Sequence, residues 1–283
     1  MPQGSAIAEQ SAHGKSWMLP ETKSQSLLYV SDASYYDYND YVYVYSYPSG
    51  SLVGTLTGFT RPRGLCANMA GRVFVTDTDG GKVFEYLHGG TAPIRTFVDT
   101  NSPAACAVDQ DSGDLAVANY VGSVTVYRRG RGKPTIYAAP WPVWFVGYDN
   151  TGNLFAEGFH YDVVVAELFA MGSAFTTFGL DVKIKMPAAG VQWFQDRLTI
   201  GRENPYEYGC CGKINRFIVD GTSGQKVGTT KTREMVDYFI DGSTVVASSG
   251  YNRVEIFGYP HADSYSKVID TAAKNAYGVV VSH

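Results

Sequence analysis

The sequence has no run of eighteen apolar residues, the length that a membrane-spanning helix requires. It therefore predicts no transmembrane helix. The formal net charge of −4 at pH 7 gives no sign of the basic surface that is typical of nucleic-acid-binding proteins. Residues 1–26 lack an apolar signal core. We expect an N-terminal extension there, extended or partly disordered, that Trp17 and Met18 hold against the outside of the fold.

Recognised catalytic motifs are also missing. The five histidines show no metal-ligand spacing such as HExxH, and the sequence contains no GxSxG nucleophile elbow and no phosphate-binding Walker loop. The sequence therefore favours a protein that is not an enzyme and that requires no cofactor.

What the sequence does contain is a repeated unit. Residues 64–77 (GLCANMAGRVFVTD) are typical of a short apolar strand, a turn and a second strand rich in β-branched residues. Variants of this unit return along the chain, and their second strands end at Asp32, Asp77, Asn119, Gly158, Arg202 and Ser249. The spacings of about 39 to 47 residues match the period of a four-stranded propeller blade.

These repeats predict an all-β fold, a six-bladed β-propeller with four-stranded blades that forms a single domain over residues 27–283. One repeat is split between the two ends of the chain, with its second strand at residues 27–32 and its first strand at residues 277–281. The C-terminal strand would therefore complete the N-terminal blade, which leaves no long open edge for aggregation. We expect a monomer.

The four cysteines fall into two pairs. Cys66 and Cys106 occupy equivalent positions in the first strands of neighbouring blades. We interpret both as buried thiols, because neighbouring inner strands of a propeller usually diverge too far for a relaxed disulfide. Cys210 and Cys211 are adjacent in a long loop. Two interpretations stay open there: a vicinal disulfide, which would favour an oxidising compartment, and two free thiols.

Loops that enter first strands and leave second strands meet on one face of a propeller, around its central channel. This channel face would combine charged, polar and aromatic side chains from both sets of loops. The entering loops contribute Arg61, Arg63, Asn101, Ser102, Trp141, Arg233, Glu234, Asn275 and Tyr277, and the leaving loops contribute Asp32, Asp77, Asp79, Asn119, Tyr120, His160, Asp162, Arg202, Glu203, Tyr251 and Asn252. Such a mixture suits a small polar or sugar-like ligand, or the loop of a partner protein. We predict as ligand-binding residues Asp32, Tyr35, Tyr36, Arg63, Asp77, Asn119, Trp141, His160, Arg202, Tyr208, Asp237 and Tyr251.

Two alternatives accompany this site. An Asp or Asn that ends a strand commonly accepts hydrogen bonds from the backbone of the next turn, so it is functional only if several such residues converge on one cavity. In addition, Trp141, Trp144 and Trp193 would give a purely structural protein if they filled the channel.

Two loops of the channel face pair tyrosines with acidic residues. They cover residues 32–40 (DASYYDYND) and 202–212 (RENPYEYGCCG), and we predict them as the recognition surface. The first could instead hold calcium through carboxylate and carbonyl oxygens, although its spacing matches no EF-hand pattern.

The units GLCANMAGRVFVTD and ACAVDQDSGDLAVAN resemble the NHL-repeat and regucalcin-like (gluconolactonase) group of six-bladed propellers. The segments YVYVYSYPSGSLVGTLTGF, VFEYLHGGTAPIRTF and VTVYRRGRGKPTIY resemble a family of uncharacterised bacterial propellers that are often exported. The second resemblance implies an extracellular or periplasmic location. The first implies either the binding of partners and ligands or a metal-dependent lactonase.

Lactonases of that group hold one divalent cation at the channel mouth with Glu, Asn and Asp ligands. The resemblance would assign this role to Asn119 and Asp237, with Asp77 replacing another ligand, whereas the expected Glu has no match in this sequence. Our leading hypothesis is therefore a non-enzymatic binding or scaffold propeller. The alternative is a calcium-dependent hydrolase of the lactonase kind.

Overall fold

The computed structural model describes residues 14–33, 41–170, 172–185, 187–203, 212–261 and 265–283, and not the side chains of His160, Tyr265 and Ser266. Tyr35, Tyr36, Tyr208, Cys210 and Cys211, which the sequence singles out, lie outside these ranges, as does most of both tyrosine-rich loops. No helix in the described ranges is long and apolar enough to cross a membrane.

The described chain forms strands in five hydrogen-bonded sheets. The first sheet joins the two ends of the chain and consists of β1 (Trp17–Met18), β2 (Leu27–Asp32), β3 (Val42–Ser46), β4 (Leu52–Leu56) and β25 (Ala276–Ser282). The second contains β5 (Pro62–Ala67), β6 (Val73–Asp77), β7 (Lys82–Tyr86) and β8 (Arg95–Val98). The third contains β9 (Pro103–Val108), β10 (Leu115–Asn119), β11 (Ser123–Tyr127) and β12 (Thr135–Ala138).

The largest sheet has eight strands: β13 (Val143–Tyr148), β14 (Leu154–His160), β15 (Asp162–Leu168), β16 (Thr176–Leu180), β17 (Ala188–Phe194), β18 (Arg197–Arg202), β19 (Lys213–Asp220) and β20 (Ser223–Lys231). Its halves, β13–β16 and β17–β20, are each antiparallel and meet through the parallel pair of β16 and β20. The fifth sheet contains β21 (Asp237–Asp241), β22 (Thr244–Ser248), β23 (Arg253–Gly258) and β24 (Tyr265–Asp270). Short 3₁₀ turns cover Pro20–Lys23 and Arg128–Gly130.

The innermost strands form a closed ring. β25, β5, β9, β13, β17 and β21 each contact the next, and β21 contacts β25. The expected pairing of the chain ends is confirmed, because β2 and β25 are antiparallel neighbours with Leu27 opposite Ser282. The arrangement is therefore propeller-like, and the ring closes by hydrogen bonds between the first and last parts of the chain.

Burial explains the composition of the strands. All five residues of β10 (LAVAN) are buried, because this strand lies inside a sheet whose two faces pack on neighbouring sheets. Strand β12 (TIYA) is an outer strand, and within it only Tyr137 is buried. On the outside of the first sheet, Trp17 and Met18 of β1 pair with Thr55 and Gly54 of β4, which ties the N-terminal segment to the ring.

The cysteine prediction was wrong, because Cys66 and Cys106 form a disulfide between β5 and β9. Their Cα atoms are 5.7 Å apart, within the ordinary range for a disulfide. The strands approach this closely because small residues face each other, and a Cβ atom on Gly64 would overlap the backbone of Ala105. Neighbouring innermost strands of a propeller usually diverge, but β5 and β9 remain close enough for a disulfide at Cys66 and Cys106.

Candidate functional site

A cavity of about 470 Å³ opens at the channel face. Loops that enter first strands and loops that leave second strands both contribute to it, as expected for the channel mouth. Its walls are formed by Arg61, Arg63, Tyr120, Trp144, Pro187, Ala188, Glu203, Val236 and Tyr277. We call this space the mouth cavity.

Arg63 lies between two tyrosine rings in this cavity. Its guanidinium carbon is 4.5 Å from the ring centre of Tyr277 and 5.2 Å from that of Tyr120. The Nη1 atom donates hydrogen bonds to the hydroxyl of Tyr120 and, at 3.3 Å, to the hydroxyl of Tyr277. Burial raises the pKa of Tyr277 well above its usual value, which keeps its hydroxyl protonated. These contacts fix a cation in a largely apolar setting.

Aromatic rings continue from this cluster around the wall. The ring centres of Tyr120 and Trp144 are 5.5 Å apart and edge-to-face, and those of Trp144 and Phe159 are 5.0 Å apart in the same type of contact. Edge-to-face packing holds each ring in place. Trp144 is only half-buried, so part of its indole lines the mouth cavity.

The charged groups of the mouth cavity are of both signs. Arg61 pairs with Asp79 at 2.5 Å between Nη2 and Oδ1. Burial, and then the charge of Glu234, raise the pKa of Glu203. A ligand would therefore meet two guanidinium groups and one carboxyl that accepts a proton more readily than usual.

Two buried carboxyls lie deeper in the ring. Asp237, at the start of β21, lines a channel cavity of about 250 Å³, and burial raises its pKa to about 8 although the backbone N–H groups of Tyr238 and Val279 lower it. Glu157 in β14 has no exposed surface. Burial and the charge of Asp237 raise the pKa of Glu157 well above its usual value, and the N–H of Gly190 opposes this. Both carboxyls are therefore favoured in the protonated form at neutral pH.

Sequence reasoning identified Asp237 and missed Glu157. The available signal was a carboxyl in an otherwise apolar strand, since Leu154, Phe155 and Ala156 precede it. A single carboxylate of this kind stays fully buried only at a cost unless it is protonated or paired.

Asp32 and Asp77 bind backbone amides. Asp77 Oδ1 accepts hydrogen bonds from the N–H groups of Thr60 and Arg61 at 2.9 and 2.7 Å. Asp32 binds the loop before β25 in the same way. Its Oδ2 atom accepts a hydrogen bond from the N–H of Lys274 and its Oδ1 atom accepts one from the N–H of Asn275, each at 3.0 Å. The contacts are structural, as the capping interpretation expected, but they bind the loop that enters the neighbouring strand and not the turn that follows the aspartate. Asp77 still serves the mouth cavity indirectly, because it positions the backbone of Arg61.

The remaining predicted residues do not share one site. Asn119 is fully buried and donates from Nδ2 to Thr125 at 2.9 Å. Trp141 packs over Gly158, Arg202 lines a separate pocket, and Tyr251 is 44% exposed. His160 ends β14, and its side chain lies outside the description. Of the three tryptophans expected in the channel, Trp193 lines the channel cavity and Trp144 lines the mouth cavity.

Two of the three residues that the lactonase resemblance implies as cation ligands, Asp77 and Asp237, have other contacts in the structure. Asp77 and Asp237 use carboxylate oxygens to accept backbone hydrogen bonds. In the ranges that the structure describes, no group of three or more His, Cys, Asp or Glu side chains is arranged to hold a metal ion.

Comparison with known proteins supports the fold. No family model matches the chain, and no curated protein matches it. Solved structures match in large number, 1367 chains in all, which indicates a widely used fold that does not by itself select an activity. One of them is a propeller chain in the crystal structure of a nidogen/laminin complex, with a TM-score of 0.69 and 10% sequence identity. The match covers 91% of this chain and 98% of that one. At this identity it shows the fold alone, and the chain has the all-β, propeller-like fold.

Proposed function

We propose that this protein is a non-enzymatic binding propeller that takes a small polar ligand with a sugar-like ring in its mouth cavity. The observation that carries the proposal is the position of Arg63 between Tyr120 and Tyr277 beside a cavity of about 470 Å³. Ligand pockets commonly enclose about 300–1,000 Å³ and combine apolar walls with a few fixed polar groups.

The chemistry of the walls suits such a ligand. The half-buried faces of Tyr120 and Trp144 would pack against the C–H face of a sugar ring. Arg61 and Arg63 would donate to its hydroxyl or carboxylate oxygens, because a guanidinium presents several N–H donors in a fixed plane. Glu203, whose pKa is raised by burial and then by the charge of Glu234, would accept hydrogen bonds from the ligand's hydroxyl groups.

The proposal treats each half of the eight-stranded sheet as one blade, which gives a single six-bladed domain over residues 27–283. The closed ring of six innermost strands supports this count. The disulfide between Cys66 and Cys106 supports an oxidising, extracellular or periplasmic location, because such bonds are rare in reducing compartments.

A second candidate function is the binding of a loop from a partner protein at the same mouth. The structural neighbour favours it, since that propeller belongs to a nidogen/laminin complex, an assembly of two proteins. A protruding loop would use the same Arg63 cluster through its acidic or carbonyl oxygens.

The test is a thermal-shift titration against a panel of neutral sugars, amino sugars and sugar acids, with the unmodified protein and two variants. Tyr120→Ala removes one ring of the Arg63 cluster, and Val121→Ala is the matched control on the neighbouring, 64% exposed side chain. We expect a saturable rise in melting temperature for the unmodified protein and the control, and a much weaker one for Tyr120→Ala.

A panel without any saturable rise would overturn the small-ligand proposal. A rise that Tyr120→Ala leaves unchanged would place the ligand elsewhere on the protein. Tyr120→Phe keeps the ring and removes only the hydroxyl. If Tyr120→Ala fails to fold, this milder variant still shows whether the side chain at position 120 takes part in binding.

A further inference from the structure

A second pocket, apart from the mouth cavity, is lined by cations. It has a volume of about 130 Å³ and lies where the two halves of the eight-stranded sheet meet. Lys183 comes from the segment after β16, Arg202 ends β18, Lys213 begins β19 and Lys226 lies in β20. We call it the basic pocket.

The strand register places like charges directly opposite each other. Arg202 pairs with Lys213 across β18 and β19, and Lys213 pairs with Lys231 across β19 and β20. Opposite residues of an antiparallel pair point to the same face, so three cations form a row across three strands. Like charges in such positions destabilise a sheet. The protein as a whole carries a net charge of −4, so this local cluster of positive charge is unusual for the chain. A negatively charged partner beside it would offset the repulsion between the cations.

The described residues do not supply that partner. Within the described ranges, none of the five cations Lys183, Arg202, Lys213, Lys226 and Lys231 forms an ion pair. Asp181 accepts a hydrogen bond from the backbone N–H of Lys226 at 2.9 Å, and Glu203 lines the mouth cavity. In the part of the chain that the structure describes, neither carboxyl forms an ion pair with these cations.

The burial, hydrogen-bond donors and volume of the pocket also suit a binding site. Arg202, Lys213 and Lys226 are half-buried, so part of their desolvation cost is already met before a ligand arrives. Asn215, which is buried, accepts a hydrogen bond from Thr229 at Oδ1 and so keeps its amide N–H groups as donors. The volume of about 130 Å³ is much smaller than that of the mouth cavity. This is the size class of a tetrahedral oxyanion and smaller than a sugar ring.

We propose that the basic pocket binds a phosphate or sulfate group, either as the free anion or as the ester carried by a larger ligand. Ammonium and guanidinium groups form strong charge-assisted hydrogen bonds with these oxygens. Occupation would cancel the repulsion along the row of cations. This site is separate from the mouth cavity and does not depend on what binds there.

The test uses isothermal titration calorimetry with sodium phosphate and sodium sulfate, against sodium chloride at equal ionic strength. The test variant is Lys213→Gln with Lys226→Gln. The matched control is Lys82→Gln, because Lys82 opposite Asp77 occupies the same register position in the second sheet as Lys213 opposite Arg202. Arg63→Gln reports on the mouth cavity.

We expect saturable binding of at least one anion to the unmodified protein, the Lys82→Gln control and the Arg63→Gln variant. The double variant should bind at least about tenfold more weakly, since each lost contact to a charged group removes roughly one such factor. It should not be less stable than the unmodified protein, because it also loses repulsion, and thermal unfolding without anion checks this.

The proposal fails if neither anion binds more tightly than chloride, or if the double variant binds as the unmodified protein does. It also fails if Arg63→Gln abolishes binding while the double variant retains it, because the anion would then sit in the mouth cavity. Glucose 6-phosphate and glucose 6-sulfate then distinguish the sources: tighter binding of either ester than of its free anion identifies an ester ligand, and weaker binding identifies the free anion.

Discussion

The guanidinium carbon of Arg63 lies 4.5 Å from the ring centre of Tyr277, and these two residues are 214 positions apart in the sequence. Arg63 belongs to β5, and Tyr277 belongs to β25, the strand that closes the ring. The centre of the mouth cavity therefore exists only when the last strand is in place. The binding proposed for the mouth would therefore be coupled to closure of the ring.

Replacing Arg63 by lysine should reduce stability although it keeps the charge. Lysine lacks the planar group that stacks between Tyr120 and Tyr277 and cannot reproduce its fixed fork of donors. We expect the free energy of unfolding to fall by about 1–2 kcal/mol, measured by urea denaturation. Arg61→Lys is the control. Its ion pair with Asp79 is partly exposed, so this substitution should lower the free energy of unfolding by less than about 1 kcal/mol. Equal stability of Arg63→Lys and the unmodified protein would contradict the role given to the aromatic contacts.

Stability should decrease as the pH rises from about 4 to about 8. The pKa of Asp237 is about 8 in the folded protein against its ordinary 3.8, so between these values the folded state holds a proton that the unfolded state has lost. Glu157 acts in the same direction, as does Glu167, whose pKa burial raises to about 7. The measurement is the free energy of unfolding at pH 5 and pH 8.

Two neutral variants check this assignment. Glu157→Gln and Asp237→Asn should each reduce the difference between pH 5 and pH 8, because the amide does not titrate. Asp220→Asn, at the exposed end of β19, is the control and should leave the difference unchanged. A protein that is more stable at pH 8 than at pH 5 would show that these carboxyls are ionised in the folded state.

The disulfide should make a large contribution to stability. It spans 40 positions of the chain, and loop-closure entropy for such a loop corresponds to about 4 kcal/mol. We expect Cys66→Ala with Cys106→Ala to lower the free energy of unfolding by roughly that amount. Cys210→Ala with Cys211→Ala provides a background in which only the first pair remains. If both remaining thiols are alkylated there without prior reduction, the bond is absent in solution.

Calcium should not produce a saturable rise in melting temperature. A ligand that binds the folded state at a hundredfold excess over its Kd stabilises it by about 2.7 kcal/mol, which such a titration detects easily. Magnesium at the same ionic strength controls for screening. A saturable rise that chelation reverses would instead favour the lactonase alternative, and Asn119→Ala and Asp237→Asn would then be the variants to examine.

Strand positions followed from the sequence because local chemistry sets them. The second strands end at Asp32, Asp77, Asn119 and Arg202 as predicted, since a polar residue there begins a turn. Two ends differ slightly, with β14 continuing to His160 and β22 ending at Ser248. These shifts move strand boundaries without changing the order of the repeat.

The site was less predictable because it depends on distances between strands that are remote in sequence. The sequence placed Arg63, Tyr120 and Tyr277 on one face, but it gave no means of telling that one guanidinium lies between the two rings. The same holds for Cys66 and Cys106, whose separation is set by the close packing of β5 on β9. For Asp32 and Asp77 the sequence left a structural and a ligand-binding role open, and only the structure showed that they bind the backbone of the loops before β25 and β5.

The disulfide also determines how the ring can come apart. It joins the second and third sheets covalently, and backbone hydrogen bonds between β16 and β20 join the two halves of the eight-stranded sheet. These links divide the ring into four segments: the first sheet, the second and third sheets together, the eight-stranded sheet, and the fifth sheet. Two of the four are therefore double. Under force or heat, it should unroll first at a boundary between segments, and the two doubled segments should separate internally last.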